Sequence, residues 1–191
     1  FLNRAKAEIG FAYGRLNDYY FQTSNMTFPN ATTDHSRYDL FAGSLSIERN
    51  SLDYKQYPIS GRKQFLVAQY VTGTEKYMPS PITDMGSFDR KVHSWLQMKG
   101  EWEQYKTISP YFNLGFMSEL VLSSKNLMNN YTASVLQAPA FTPTPHSQIV
   151  FNEAFRANQY VAFGLSPILK FSKLLHFRLD MYGFCLLYTS D

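Results

Sequence analysis

The chain has 191 residues, a length that suits one domain. Charged residues make up 17% of it, below the roughly 25% of soluble domains, and no run of about 18 apolar residues is present, so a helical membrane protein is not expected. The net charge of +3 comes from basic residues spread along the chain, which argues against a nucleic-acid partner.

Seven segments alternate apolar and polar residues, the pattern of β-strands whose two faces meet different surroundings. Most of them are about a dozen residues long or more, whereas strands of globular proteins usually have about 5–6. A strand that crosses a bilayer needs about 9–11 residues. The predicted strands span approximately 5–22, 37–50, 62–77, 91–106, 109–123, 156–171 and 175 onward.

The apolar residues of each segment are predicted to face outward and the polar residues inward. In the fourth segment, Lys99, Glu101 and Glu103 share the inward face with His93 and Gln97, which a dry core accepts only when such charges are paired. In the third segment, the residues expected outward are Phe65, Val67 and Val71, against Gln64, Ala68, Tyr70 and Thr72. The outward residues predicted elsewhere are Ile9, Phe11, Tyr13, Phe41, Leu45, Ile47, Val92, Leu96, Met98, Trp102, Phe112, Leu114, Phe116, Leu120, Leu122, Val161, Phe163, Leu165, Phe177, Leu179 and Met181.

The connections between these segments alternate in length. Long ones run about 23–36, 77–90 and 124–155, and shorter ones lie near 50–61, 107–110 and 172–174. Outer-membrane barrels have short periplasmic turns and longer extracellular loops. The sequence therefore predicts an all-β, antiparallel up-and-down meander that forms part of a transmembrane β-barrel in a bacterial outer membrane, about seven strands of a larger barrel. A soluble β-sandwich that serves as a binding module is the alternative.

Two parts of the sequence resemble known proteins. Glu48 to Gly61, which reads ERNSLDYKQYPISG, resembles a turn of the surface-antigen superfamily of outer-membrane assembly and secretion barrels. The segment from Tyr111 to about Phe184 resembles the C-terminal barrel of patatin-like phospholipases of Bacteroidetes-type bacteria. Its most specific parts are Asn130-Tyr-Thr-Ala, Gln137-Ala-Pro-Ala-Phe-Thr-Pro-Thr-Pro-His-Ser and Phe151-Asn-Glu-Ala-Phe-Arg-Ala-Asn-Gln-Tyr.

The resemblance implies a parent protein in which a patatin lipase domain and a linking domain precede this barrel, and the barrel anchors, exports or presents the lipase. Its partners would be outer-membrane lipids and the upstream patatin domain. Such enzymes hydrolyse lipid acyl esters with a Ser–Asp dyad, the serine lying in G-x-S-x-G and the aspartate in Asp-Gly. This chain has neither motif; the nearest string is Gly43-Ser-Leu-Ser.

No catalytic residue is therefore assigned. The superfamily's Arg-Gly-Phe motif is also absent, and a stand-alone outer-membrane channel or assembly-type barrel is the second alternative. No metal or cofactor site is predicted, because the four histidines (His35, His93, His146 and His176) lie in different segments without metal-binding spacing. Residues 1–184 are predicted to be a fragment of one barrel domain. Residues 185–191, which include the single cysteine Cys185, resemble a translated adapter tail.

Overall fold

A computed structural model gives the chain an all-β fold and describes residues 5–20, 33–78, 89–125, 138–172 and 175–187. The described parts contain no helix long and apolar enough to cross a membrane. A short 3₁₀ turn spans Glu153–Phe155. The strands are β1 (Ala5–Tyr20), β2 (Asp34–Asn50), β3 (Gly61–Met78), β4 (Asp89–Ser109), β5 (Phe112–Ser123), β6 (Tyr160–Lys170), β7 (His176–Arg178) and β8 (Met181–Leu186).

All strands belong to one antiparallel sheet in which each strand pairs with the next along the chain. The order is β1 to β7, and β8 pairs with β6 beside β7. The predicted all-β, antiparallel up-and-down meander is confirmed. The described strands do not close into a barrel, because β1 forms one edge of the sheet and β7 with β8 forms the other.

The strands β7 and β8 continue a single register along β6. Phe177 pairs with Leu169, and Met181 pairs with Leu165 four positions further on each side. Between them, the Leu179 N–H donates to the Pro167 carbonyl at 3.1 Å. Proline has no N–H to donate in return, so the ladder is interrupted at this pair. The seventh predicted strand is therefore present, split in the middle by the proline of its neighbour.

Register also decides which residues share a face, because directly paired residues of antiparallel strands point the same way. One row across the sheet consists of Ile9, Leu45, Ala68, Met98 and Leu122. We call the side that carries this row the apolar face and the opposite side the polar face. In every strand except the third, the residues predicted to share a face lie on the same side of the sheet.

The predicted facing of β3 is wrong. The three residues expected outward lie on the polar face: Phe65, Val67 and Val71. Val71 is buried there in a small core with Tyr38 and Trp95. The opposite side of β3 also carries large apolar residues, Leu66 and Tyr70. Alternation alone gives little contrast where both faces of a strand are apolar, and pairing with neighbouring strands then sets the facing.

The connection over residues 51–60 is an ordered turn. The Asp53 carboxylate accepts hydrogen bonds from the backbone N–H groups of Tyr54, Ile59 and Ser60 at 3.0 to 3.2 Å. Gly61 ends the turn with φ of 108°, where a Cβ would lie 2.2 Å from a backbone oxygen. The predicted turn is confirmed, but it is as long as the 79–88 connection. The predicted alternation of connection lengths is therefore less regular than expected.

Part of the 138–157 segment packs onto the polar face. Ala138 and Phe141 are buried, and Phe141 packs against Val121, Tyr160 and Ala162. The parts of the segment around Phe141 and Phe155 pair with each other here. Hydrogen bonds run from Phe141 N–H to the Phe155 carbonyl and from Ala157 N–H to the Pro139 carbonyl. Residues 130–133, which carry part of the sequence resemblance, lie outside the described residues.

Candidate functional site: an apolar face bordered by cations and a covered polar face

The apolar face is exposed, and the polar face is mostly buried or half-buried from β2 to β6. On the apolar face, Phe11 is 88% exposed and Ile9 74% exposed. On the polar face, Glu75 is fully buried, Asn113 is 1% exposed and Glu119 4% exposed. Soluble proteins rarely expose large apolar patches, and they seldom bury carboxylates completely. This sheet therefore has the arrangement opposite to that of a soluble protein.

Cations mark both ends of the apolar face on three neighbouring strands. Each of these strands has one such cation near each end. Within these described strands, no basic side chain lies between the two cations on this face. The pairs are Arg37 and Arg49 on β2, Arg62 and Lys76 on β3, and Arg90 and Lys106 on β4. These basic residues are dispersed along the sequence, which hides the pattern. Their positions in the strands could have revealed it, because all six residues fall on the apolar side of the period-two alternation.

The separation of these cations fits the thickness of a bilayer. Arg90 and Lys106 lie sixteen positions apart on β4, which is roughly 54 Å along a strand that rises about 3.4 Å per residue. At a tilt of about 40° the vertical separation is roughly 42 Å. The same conversion gives about 31 Å for the β2 pair and about 37 Å for the β3 pair. A bilayer has a hydrocarbon core of about 30 Å and measures about 40–45 Å with its headgroups.

The two faces also differ in the sign of their charge. Among the described strands, Asp39 is the one acidic side chain on the apolar face, and its carboxylate lies 2.6 Å from Arg15 Nε and 3.3 Å from Arg37 Nε. Lys76 and Arg90 form no ion pair within the described part of the chain. The other acidic side chains that the structure describes on these strands lie on the polar face: Glu8, Asp18, Asp34, Glu48, Glu75, Glu101, Glu103 and Glu119.

The polar face holds a ladder of alternating charges across three strands. Lys63 Nζ lies 2.8 Å from Glu101, and Lys99 Nζ lies 2.9 Å from Glu101 and 3.1 Å from Glu119. The Tyr160 hydroxyl donates a short hydrogen bond to Glu119. The inward charges predicted from the fourth segment are thus brought together. Each carboxylate has a cationic partner, which offsets the cost of its burial.

A second polar cluster links β2, β3 and β4. The Tyr38 hydroxyl donates to Glu75 at 2.9 Å, and His93 Nε2 lies 2.6 Å from the other oxygen of that carboxylate. All three residues are buried. Their contact depends on the register of β3 with β4, which the sequence alone does not give.

Arg178 joins the sheet to the 51–60 turn. Its guanidinium lies 2.7 Å from Asp180 and donates to the Pro58 carbonyl at 2.8 Å and to the Tyr105 hydroxyl at 3.1 Å. Asn113 Nδ2 donates to the Ile59 carbonyl at 2.7 Å. The turn is therefore fastened against the polar face at the end of the sheet where β2 meets β3.

The 51–60 turn and the 138–157 segment approach each other over the polar face. Together with the charge ladder they enclose a cavity of about 210 Å³, whose lining includes Lys55, Tyr57, Lys99, Glu101, Thr142 and Pro143. The two segments leave the sheet from opposite ends, since an odd number of strands separates them. The middle of the polar face is therefore covered by two segments that come from opposite ends of the sheet.

Two of the four histidines have other partners within the sheet. His35 stacks on Tyr19 with ring centroids 4.3 Å apart, while His93 pairs with Glu75. The described part of the chain holds no group of three histidine, cysteine or acidic side chains placed to bind a metal ion. The Gly43–Ser46 string lies inside β2, so it has the extended backbone of a strand and not a strand-to-helix turn.

Comparison with protein family models, with curated protein sequences and with solved structures found no significant match to this chain.

Proposed function

We propose that this chain forms part of a β-barrel in a bacterial outer membrane, with its apolar face against lipid and its polar face toward the barrel interior. The observation that carries the proposal is the inverted exposure of the two faces. Phe11 and Val92 are largely exposed on the apolar face, whereas Glu75 and Glu119 are buried on the opposite one. In a membrane barrel, lipid covers the first group and the interior holds the second.

A soluble β-sandwich fits these observations less well. A sandwich covers its apolar face with a second sheet, and all the described strands belong to one sheet. Its strands are also shorter, because strands in globular proteins have about 5–6 residues, while β4 has 21. Cations at both ends of β2, β3 and β4 have a role at two headgroup layers and none at the centre of a sandwich.

The proposal requires additional strands, from the same chain or another. The outer edges of β1 and of β7 with β8 have no strand partner among the described residues. Unpaired backbone N–H and C=O groups are too costly in lipid, so only closed barrels cross membranes as sheets. The sheet is therefore one sector of a larger barrel.

An anchor fits the interior better than an open channel does. The ladder of Lys63, Glu101, Lys99 and Glu119 crosses the polar face, and the 51–60 turn and the 138–157 segment lie over it. Porins have a water-filled interior, whereas other barrels are plugged by loops. Given the resemblance to barrels that follow a patatin domain, we propose that the anchored cargo is a lipid acyl hydrolase.

Cell fractionation tests the membrane assignment. Membranes from producing cells are washed with urea or with sodium carbonate and then extracted with detergent. The protein should stay with the outer membrane through both washes and enter solution only with detergent. Release by either wash, or recovery in the soluble fraction, would contradict the membrane role. The hydrolase cargo is tested by reading the gene upstream of the codon for Phe1, where a G-x-S-x-G motif is expected and its absence would refute the anchoring role.

A further inference from the structure

We propose that the long-connection end of the apolar face is a docking site for a phosphorylated glycolipid of the outer leaflet, the lipid A class with two phosphate groups. This inference rests on the proposed membrane function. Its basis is a continuous row of cations across three strands: Arg37 pairs with Lys76, and Lys76 pairs with Arg90. We call these three residues the cationic row.

The register makes the cationic row a compact site. Neighbouring strands lie about 4.8 Å apart, so the backbone positions of Arg37 and Arg90 are separated by roughly 10 Å. All three side chains point to the apolar face. Like charges in directly opposed positions repel one another, so a row of three cations is unfavourable without an anionic ligand. This unfavourable arrangement indicates a site that a ligand completes.

The local charges indicate a ligand with more than one negative charge. In the adjacent row toward the centre of the sheet, Asp39 lies between Arg15 and Arg37. Its single charge leaves the Arg15, Arg37, Lys76 and Arg90 group with an excess of three positive charges. A phosphodiester lipid carries one charge, whereas a bisphosphorylated glycolipid carries at least two. Arginine binds phosphate through paired N–H donors, and lysine binds it as a point charge.

The surface beside the cationic row fits acyl chains. The apolar face continues from the row toward the centre of the sheet through Thr74 and Val92, and then to Tyr70 and Leu96. Val92 is 71% exposed and Tyr70 is 53% exposed. A phosphorylated headgroup on the cationic row therefore places its chains along exposed apolar side chains. The long connections leave the sheet at this end, and in outer-membrane barrels long loops face the cell exterior.

The test uses the protein as extracted from outer membranes with detergent and transferred to phosphatidylcholine nanodiscs. Native mass spectrometry then measures the binding of added bisphosphorylated lipid A, of its monophosphorylated form and of phosphatidylglycerol. The Arg37→Gln/Lys76→Gln/Arg90→Gln variant should bind bisphosphorylated lipid A on the order of 100-fold more weakly. Each membrane-facing cation contributes a factor of about five near an anionic surface. The matched control, Arg49→Gln/Arg62→Gln/Lys106→Gln, removes three cations at the opposite border and should bind like the unmodified protein.

Equal binding by the two triple variants would overturn the inference. Binding of phosphatidylglycerol or of the monophosphorylated glycolipid as tightly as lipid A would overturn the choice of ligand. If the triple variant does not assemble, the single changes Lys76→Gln and Arg90→Gln replace it, with an expected loss of about fivefold each; no loss in either would again refute the site. Failure of the unmodified protein to enter nanodiscs would contradict the membrane role itself, which separates that outcome from failure of this inference alone.

Discussion

Met98 lies midway between the two cations of the apolar face on β4, eight positions from Arg90 and eight from Lys106. In the proposed barrel its side chain therefore lies at the centre of the bilayer. Replacement by arginine at the midplane of a membrane barrel costs about 2–4 kcal/mol, and the cost falls to about 0–1 kcal/mol near the headgroups. Met98→Arg should accordingly destabilise the folded protein by about 2–4 kcal/mol. Gln104→Arg, on the same face of the same strand at the border, should cost less than about 1 kcal/mol.

The assay is denaturant unfolding in liposomes, followed by the shift in gel migration between the folded and heated protein. Met98→Leu is the control for packing, and it should cost less than about 1.5 kcal/mol because the side-chain volumes are similar. Met98 is 41% exposed, and in a water-soluble protein a change at an exposed site usually alters stability by no more than about 0.5 kcal/mol. If Met98→Arg costs no more than Gln104→Arg, the depth assignment is refuted.

Three further predictions concern the polar face and the single cysteine. Gly115→Val should destabilise the protein by about 1–3 kcal/mol in the same unfolding assay, because a Cβ there would lie 2.4 Å from the Tyr105 ring; no change would contradict the packing. Lys99→Met should cost about 3 kcal/mol, since it leaves Glu101 and Glu119 without the ammonium group between them, and a stability equal to that of the unmodified protein would count against a buried ladder. Cys185 is exposed on the apolar face opposite Val161. In liposomes it should react with a membrane-soluble maleimide and resist a charged one, and equal labelling by both reagents would show that it does not face lipid.

The sequence was sufficient to predict the strands and most of their facing, because alternation is strong where the two faces meet different surroundings. Phe41, Leu45 and Ile47 alternate with Ser44 and Ser46, and the structure places the two sets on opposite faces. On β3 the pattern fails, because large apolar residues lie on both sides of the strand. The alternation then does not distinguish one face from the other.

The charged features of the site depend on register, which the sequence did not supply. Arg37, Lys76 and Arg90 come from three strands separated by two connections, and only the pairing of those strands aligns them in one row. The His93–Glu75 contact has the same origin. One-residue slips would move each side chain to the other face, so neither the cationic row nor this pair is visible before the register is known.

The burial of part of the 138–157 segment could not be predicted, for a different reason. Its turn-forming composition is that of an exposed loop. In the structure, Phe141 and Ala138 are buried against the polar face, and Arg156 donates to the Ala138 carbonyl at 3.0 Å. A single aromatic residue among prolines and threonines gives no periodicity, so its burial cannot be recognised from pattern.

Contact of the apolar face with lipid is measured most directly by scanning spin labels along β2. In a Cys185→Ser background, a nitroxide is attached to one cysteine at a time over positions 41–47, and its collisions with oxygen and with a water-soluble nickel complex are compared in liposomes. The account predicts high oxygen and low nickel accessibility at Phe41, Gly43, Leu45 and Ile47, which lie on the apolar face, with the reverse preference or protection at the residues between them. High nickel accessibility at Leu45, or the absence of a period-two alternation, would contradict the claim that this face lies in the membrane.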